Sequence, residues 1–117
     1  MHGKLIVFIP KEYEYADTVM DEFYDDIMYG IGADYIGHRI HGDDAESIYE
    51  RFKTAVNNID TDKMTVKQSV EYDRDYPVVI IDGYPTVFRS FVQYKAYCDS
   101  YGLSFKEYDW QVWDFHF

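Results

Sequence analysis

The sequence predicts an α/β domain arranged as a three-layer sandwich: a mixed sheet between flanking helices, with one further aromatic strand at the C-terminus. Three observations carry this expectation. Residues 4–10 (KLIVFIP) are continuously apolar, as in a strand buried on both faces. The segment that follows changes to helical spacing of its apolar residues. Two later apolar runs are joined by Asp82-Gly83, a strong hairpin signal.

Composition bounds the possibilities. The 117 residues fall in the size range of one domain, and 47% of them are hydrophobic, enough to build a core, so a single domain over 1–117 is expected. Aromatics reach 20%, with 13 Tyr and 8 Phe, and Tyr suits core edges and binding surfaces alike. The net charge is −11, from 22 acidic against 11 basic residues. Such a surface repels nucleic acid and anionic membranes and attracts basic proteins or cations. One Cys cannot form an internal disulfide, and no apolar run approaches the ~20 residues of a membrane span. The opening MHGKLIVFIP enters a strand pattern instead of a secretory apolar region with a small-residue cleavage site. The expectation is a cytoplasmic protein without a cofactor.

The elements follow in order. Residues 4–10 are the first strand. Over about 14–29, Ala16, Val19, Met20, Phe23 and Ile27 share one helical face, and Gly30 and Gly32 are expected to end that helix. Residues 34–41 make a short second strand. Asp43 or Asp44 can cap a second helix whose inner face carries Ala45, Ile48, Phe52, Ala55 and Val56. Met64, Val66, Gln68, Val70 and Tyr72 alternate with polar residues, the period of a half-exposed strand. Residues 78–81 are a second buried strand, and the Asp82-Gly83 turn leads into a strand over 84–88. A third helix spans about 90–101 and stops at Gly102. The tail, 104–117, carries Phe105, Tyr108, Trp110, Val112, Trp113, Phe115 and Phe117, and should pack on the domain as one more strand.

This order of elements, with Pro77 just before a buried strand and a DG hairpin after it, resembles the glutaredoxin/thioredoxin-like fold. The segment Tyr76-Pro77-Val78-Val79-Ile80-Ile81-Asp82-Gly83 is similar to the family's Val-Pro-x-hydrophobic-hydrophobic-hydrophobic-Asp-Gly stretch, which implies a cis Tyr76-Pro77 bond facing an active site. The likeness covers roughly residues 4–101, with extra material around 57–75 and after 102. In register, Tyr13-Glu14-Tyr15-Ala16 takes the place of the family's Cys-Pro-Tyr-Cys. Neither Tyr13 nor Ala16 can supply a thiolate. Val87-Phe88 stands where the family has the Gly-Gly that contacts glutathione. The resemblance thus implies a redox-inactive relative, with a groove near Tyr13, Tyr15, Tyr76 and Pro77 left for a peptide or small ligand. Cys98 lies in the third helix and reads as a small buried hydrophobe.

No other motif supports an enzyme, so no catalytic residue is assigned. Gly30-Ile31-Gly32 and Gly37 follow a helix, whereas a dinucleotide fingerprint opens one. His38 and His41, spaced i, i+3 on a strand, point to opposite faces, so no metal site is expected from them or from Asp43 and Asp44. There is no calcium-loop spacing, nucleophile elbow, phosphate loop or zinc-protease motif.

The acidic pattern has more content. Glu14, Asp17, Asp21 and Asp25 recur at helical spacing opposite the apolar stripe, with Glu12, Glu22 and Asp26 beside them. No Lys or Arg occurs between Lys11 and Arg39 to relieve them. At ~1.5 Å rise these four charges fall roughly 5 Å apart, sparser than the ~3.4 Å of a DNA strand. Asp43, Asp44, Glu46 and Glu50, or Glu71, Asp73 and Asp75, would bring the density closer if they shared the surface. The expectation is a non-catalytic acidic protein that docks Glu14, Asp17, Asp21, Glu22, Asp25 and Asp26 on a basic partner, with no direct nucleic acid or membrane contact. Its sharpest form is an inhibitor of phage or mobile-element type that covers a host nucleic-acid-binding site by mimicking its charge.

Overall fold

The first strand is central because it is apolar on both sides. In the computed structural model, which describes residues 2–65, 67, 75–88, 90–102 and 104–116, the elements run β1 (His2–Pro10), α1 (Val19–Ile31), β2 (Tyr35–Ile40), α2 (Gly42–Asn58), β3 (Asp75–Ile81), β4 (Tyr84–Val87), α3 (Phe91–Tyr101) and β5 (Tyr108–His116). Short 3-10 turns precede α1 at Ala16–Thr18 and β5 at Phe105–Glu107, and a third lies at Thr61–Lys63. The strands form one five-stranded mixed sheet in the order β2-β5-β1-β3-β4. β1 and β3 are parallel, while β5 runs antiparallel to both β1 and β2, and β4 antiparallel to β3.

Alternation along β1 divides the core in two. Leu5, Val7 and Ile9 meet Val19, Met20, Phe23, Ile27 and Ile31 of α1 on one face. Ile6 and Phe8 meet Tyr49, Phe52, Ala55 and Val56 of α2 and Phe91, Tyr94 and Cys98 of α3 on the other. The result is helix, sheet, then two helices, in keeping with the α/β class and mixed sheet read from the sequence. Much of the aromatic excess is consumed on the second face. Phe8 stacks on Tyr94 with ring centroids 5.4 Å apart and meets Phe105 edge-on at 5.6 Å.

The aromatic tail is a strand, and it lies inside the sheet between β1 and β2. Nine rungs from His2↔His116 to Pro10↔Tyr108 bind it to β1. Trp110 stacks on Tyr49 at 4.3 Å, and Phe115 on Tyr76 at 5.4 Å. The hairpin turn is as the dipeptide implies: Asp82 and Gly83 both have positive φ, 52° and 82°, the pattern of a type I′ turn. Ser90 caps α3 by accepting from the Gln93 amide at 3.2 Å.

Several expectations are corrected. The first helix begins at Val19, so Glu14 lies in the preceding loop and Asp17 in the 3-10 turn. α1 is also kinked, because Phe23 leaves helical φ/ψ. Gly32 alone ends it: at φ 71° it closes a Schellman motif in which the Ala33 amide donates to Met28 O and the Gly32 amide to Tyr29 O. Gly30 remains inside the helix. Asp43 and Asp44 sit in the first turn of α2 and do not cap it, since His41 holds the cap position; Tyr49 is buried on the inner face where Ile48 is only half-buried. The half-exposed strand expected over 64–72 falls mainly on residues outside those described. The expected cis bond is absent, because no peptide bond among the described residues is cis, Tyr76-Pro77 included.

Pro77 is nonetheless accommodated within an interior strand. Its carbonyl accepts from the Phe88 amide at 3.0 Å, just past the end of β4, so the side of the strand on which its N–H is missing lies where the β3–β4 ladder has already stopped. No helix among the described residues is long and apolar enough to cross a membrane.

Candidate functional site

The acidic residues are exposed because the apolar stripe of α1 is buried. Val19, Met20, Phe23, Ile27 and Ile31 face the sheet, which turns Asp21, Glu22, Asp25 and Asp26 outward, with Asp17 exposed in the turn before and Glu14 in the loop. Among the described residues, none of these carboxylates forms an ion pair. Glu22 accepts one long hydrogen bond, 3.5 Å, from the Tyr13 hydroxyl. Burial, and then the charge of Glu22, push that hydroxyl above its ordinary pKa, so Tyr13 remains a neutral donor.

Tyrosines flank this ridge. Tyr15 is 60% exposed and meets Tyr13 edge-on, with ring centroids 6.0 Å apart. Tyr29 of α1 is 72% exposed, and Tyr84 of β4 is 71% exposed with its ring 6.1 Å from Phe23. Large amphipathic rings thus stand exposed on the same helix and its neighbouring strand as carboxylates without a cation partner among the described residues. Gln111 ties the base of the ridge to the sheet by donating from Nε2 to Ala16 O at 2.9 Å, and it accepts from Trp113 Nε1 at 3.0 Å.

The other acidic groups do not join this surface. Asp43, Asp44, Glu46 and Glu50 belong to α2, on the opposite face of the sheet. Asp75 is 5% exposed and takes the guanidinium of Arg51, an ion pair that fastens α2 to the start of β3. Glu71 and Asp73 lie outside the described residues. Asp114 is buried against Lys4 at 2.8 Å and His116 at 2.7 Å.

The groove expected around Tyr13, Tyr15, Tyr76 and Pro77 is divided by the sheet. Tyr13 and Tyr76 pack on the α1 side. Pro77 pairs with Ile6 and alternates with Tyr76 and Val78, so its ring faces the side of α2. Tyr13 and Tyr15 instead belong with the acidic ridge. His38 and His41 are both exposed, and no cluster of metal-binding side chains occurs among the described residues.

Sequence reasoning passed over Arg39. It lines an open cleft of about 430 Å³ with His41, Asp43, Glu46 and Trp110, where β2 ends and α2 begins. Its only signal in the sequence is that it is the first cation after a long acidic stretch. No protein-family model, curated protein or solved structure matches this chain.

Proposed function

We propose that this chain is a non-catalytic acidic binding protein whose α1 ridge docks on a basic protein partner; its sharper form, an inhibitor of phage or mobile-element type that covers a nucleic-acid-binding site by charge mimicry, rests on the sign of the ridge charge and not on backbone-like spacing, since the α2 carboxylates lie on the other face. The observation that carries this reading is the ridge itself: Asp17, Asp21, Glu22, Asp25 and Asp26 are exposed without a cation partner among the described residues, and Tyr15, Tyr29 and Tyr84 stand exposed around them. Unneutralised carboxylates accelerate encounter with a basic surface. The tyrosines add contact area at little entropic cost.

The test is capture of a basic nucleic-acid-binding protein from the native host by the immobilised chain, at low and high salt. Capture is expected to weaken steeply with salt, to be lost on Asp21→Lys with Asp25→Lys, to survive Glu50→Lys on the opposite face, and to be displaced by duplex DNA. Equal capture by the wild type and the α1 double variant would overturn the assignment of the ridge. Displacement by neither DNA nor RNA would overturn the mimicry.

A further inference from the structure

We infer that the cleft between the end of β2, the first turn of α2 and β5 is a binding site for a small zwitterion of the amino-acid class, one carrying a carboxylate and an ammonium group. The cleft arises from the sheet pairing. β2 stops at Ile40, opposite Val112, so Trp110 and Gln111 of β5 have no β2 residue beside them. α2 then leaves on the other side from an unusual start, since His41 gives its first amides no side-chain cap. The opening left is about 430 Å³, within the range of small-ligand sites.

Its lining carries both signs of charge, and the cation is not satisfied by the anions. Arg39 is half-buried and its Nε is enclosed without a hydrogen-bond partner, yet among the described residues neither Asp43 nor Glu46 forms an ion pair with it. With Nε enclosed, the terminal nitrogens are the groups available to an incoming carboxylate, in an end-on, charge-assisted contact.

Asp43 and Glu46 are exposed along the same cleft. They oppose a simple anion such as phosphate and favour a ligand that brings an ammonium group with its carboxylate. Trp110, held flat against Tyr49 at 4.3 Å, supplies a rigid apolar wall for the rest of the molecule. None of the ridge carboxylates lines the cleft, although Gln111 at its edge also donates to Ala16 O at the base of the ridge.

Isothermal titration of the purified chain with each common free α-amino acid tests the assignment, with acetate, inorganic phosphate and methylammonium as single-charge probes. At least one amino acid should bind saturably, and its affinity should fall tenfold or more in Arg39→Gln and in Asp43→Asn with Glu46→Gln. The single-charge probes should bind at least tenfold more weakly. Circular dichroism of each variant separates loss of the site from loss of the fold, and Arg39→Lys should recover part of the affinity if the variants remain folded. Absence of saturable binding by any amino acid overturns the proposal. So does binding of acetate or phosphate as tight as the best amino acid, or unchanged affinity in folded Arg39→Gln.

Discussion

Gly30 of α1 lies directly against Val87 of β4: a Cβ built on the glycine would come 2.8 Å from Val87 Cγ2. The helix can therefore approach the edge hairpin only because that position has no side chain. Gly30→Ala should lower stability by about 1–3 kcal/mol through overpacking, although Ala normally gains about 1 kcal/mol over Gly in a helix. In a Val87→Ala background the same substitution should be neutral or stabilising, as coupling between touching residues requires. Denaturant midpoints of the four proteins check this, and equal effects in both backgrounds would refute the contact.

Asp114 should make stability depend on acid. Burial alone would raise its carboxyl, but the hydrogen bond and charge of Lys4, followed by the charge and hydrogen bond of His116, outweigh burial and hold it below its ordinary value. A carboxylate lowered in the folded state adds stability above its unfolded pKa of about 3.9, and that addition is lost as pH falls through the lower folded value. Asp114→Asn should cost about 1–3 kcal/mol at pH 7. The gap from wild type should close as pH drops from about 4 toward 2, measured by urea midpoints. A gap independent of pH would show that the charge of Asp114 does not matter.

The acidic ridge should be a liability for the isolated chain, unevenly so along the helix. Asp25 lies past the kink at Phe23, with Asp21 and Glu22 on the preceding turn. Asp25→Lys should stabilise by about 0.2–0.5 kcal/mol at low salt, by removing like-charge repulsion. Asp21 sits in the first turn of α1, where a negative charge complements the helix dipole, so Asp21→Lys should gain less or nothing. Thermal midpoints at about 20 mM and 500 mM salt should show both effects shrinking with screening.

Cys98 should be chemically quiet. It is buried on the α3 side of the core. Burial pushes its thiol up, and the opposing hydrogen bond from Tyr94 does not reverse this. Labelling by a disulfide reagent should be slower in the native protein than in urea by a factor on the order of 100, because only the thiolate reacts. The protein should also show no glutathione-dependent reductase turnover. Turnover that disappears in Cys98→Ser would overturn the redox-inactive reading.

What was legible in the sequence was local. The run Leu5–Ile9 is apolar at every position because β1 is covered on both faces. The spacing of Val19, Met20, Phe23 and Ile27 follows the helical pitch, and Asp82-Gly83 carries its turn in the φ preferences of the two residues. The outward placement of Asp21, Glu22, Asp25 and Asp26 is legible for the same reason: a helix that buries one stripe exposes the other. Arg39 and its cleft were not, because a cleft at the end of a strand depends on where the neighbouring strand stops.

By itself, then, the sequence determined the class, the alternation of helices and strands, and the exposure of the acidic stripe on α1, all of which follow from backbone periodicity and turn chemistry. Only the tertiary structure decided which strands pair and which faces the helices take. Insertion of β5 between β1 and β2 rests on rungs joining residues 98 to 114 positions apart, which no local period encodes. Placement of α1 and α2 on opposite faces separates their carboxylates, and alternation along β3 turns Pro77 away from Tyr13. Asp75 reads as one more surface charge in the sequence. It becomes the buried anchor of Arg51 because β3 begins beneath α2, where a carboxylate is stable only with a cation beside it.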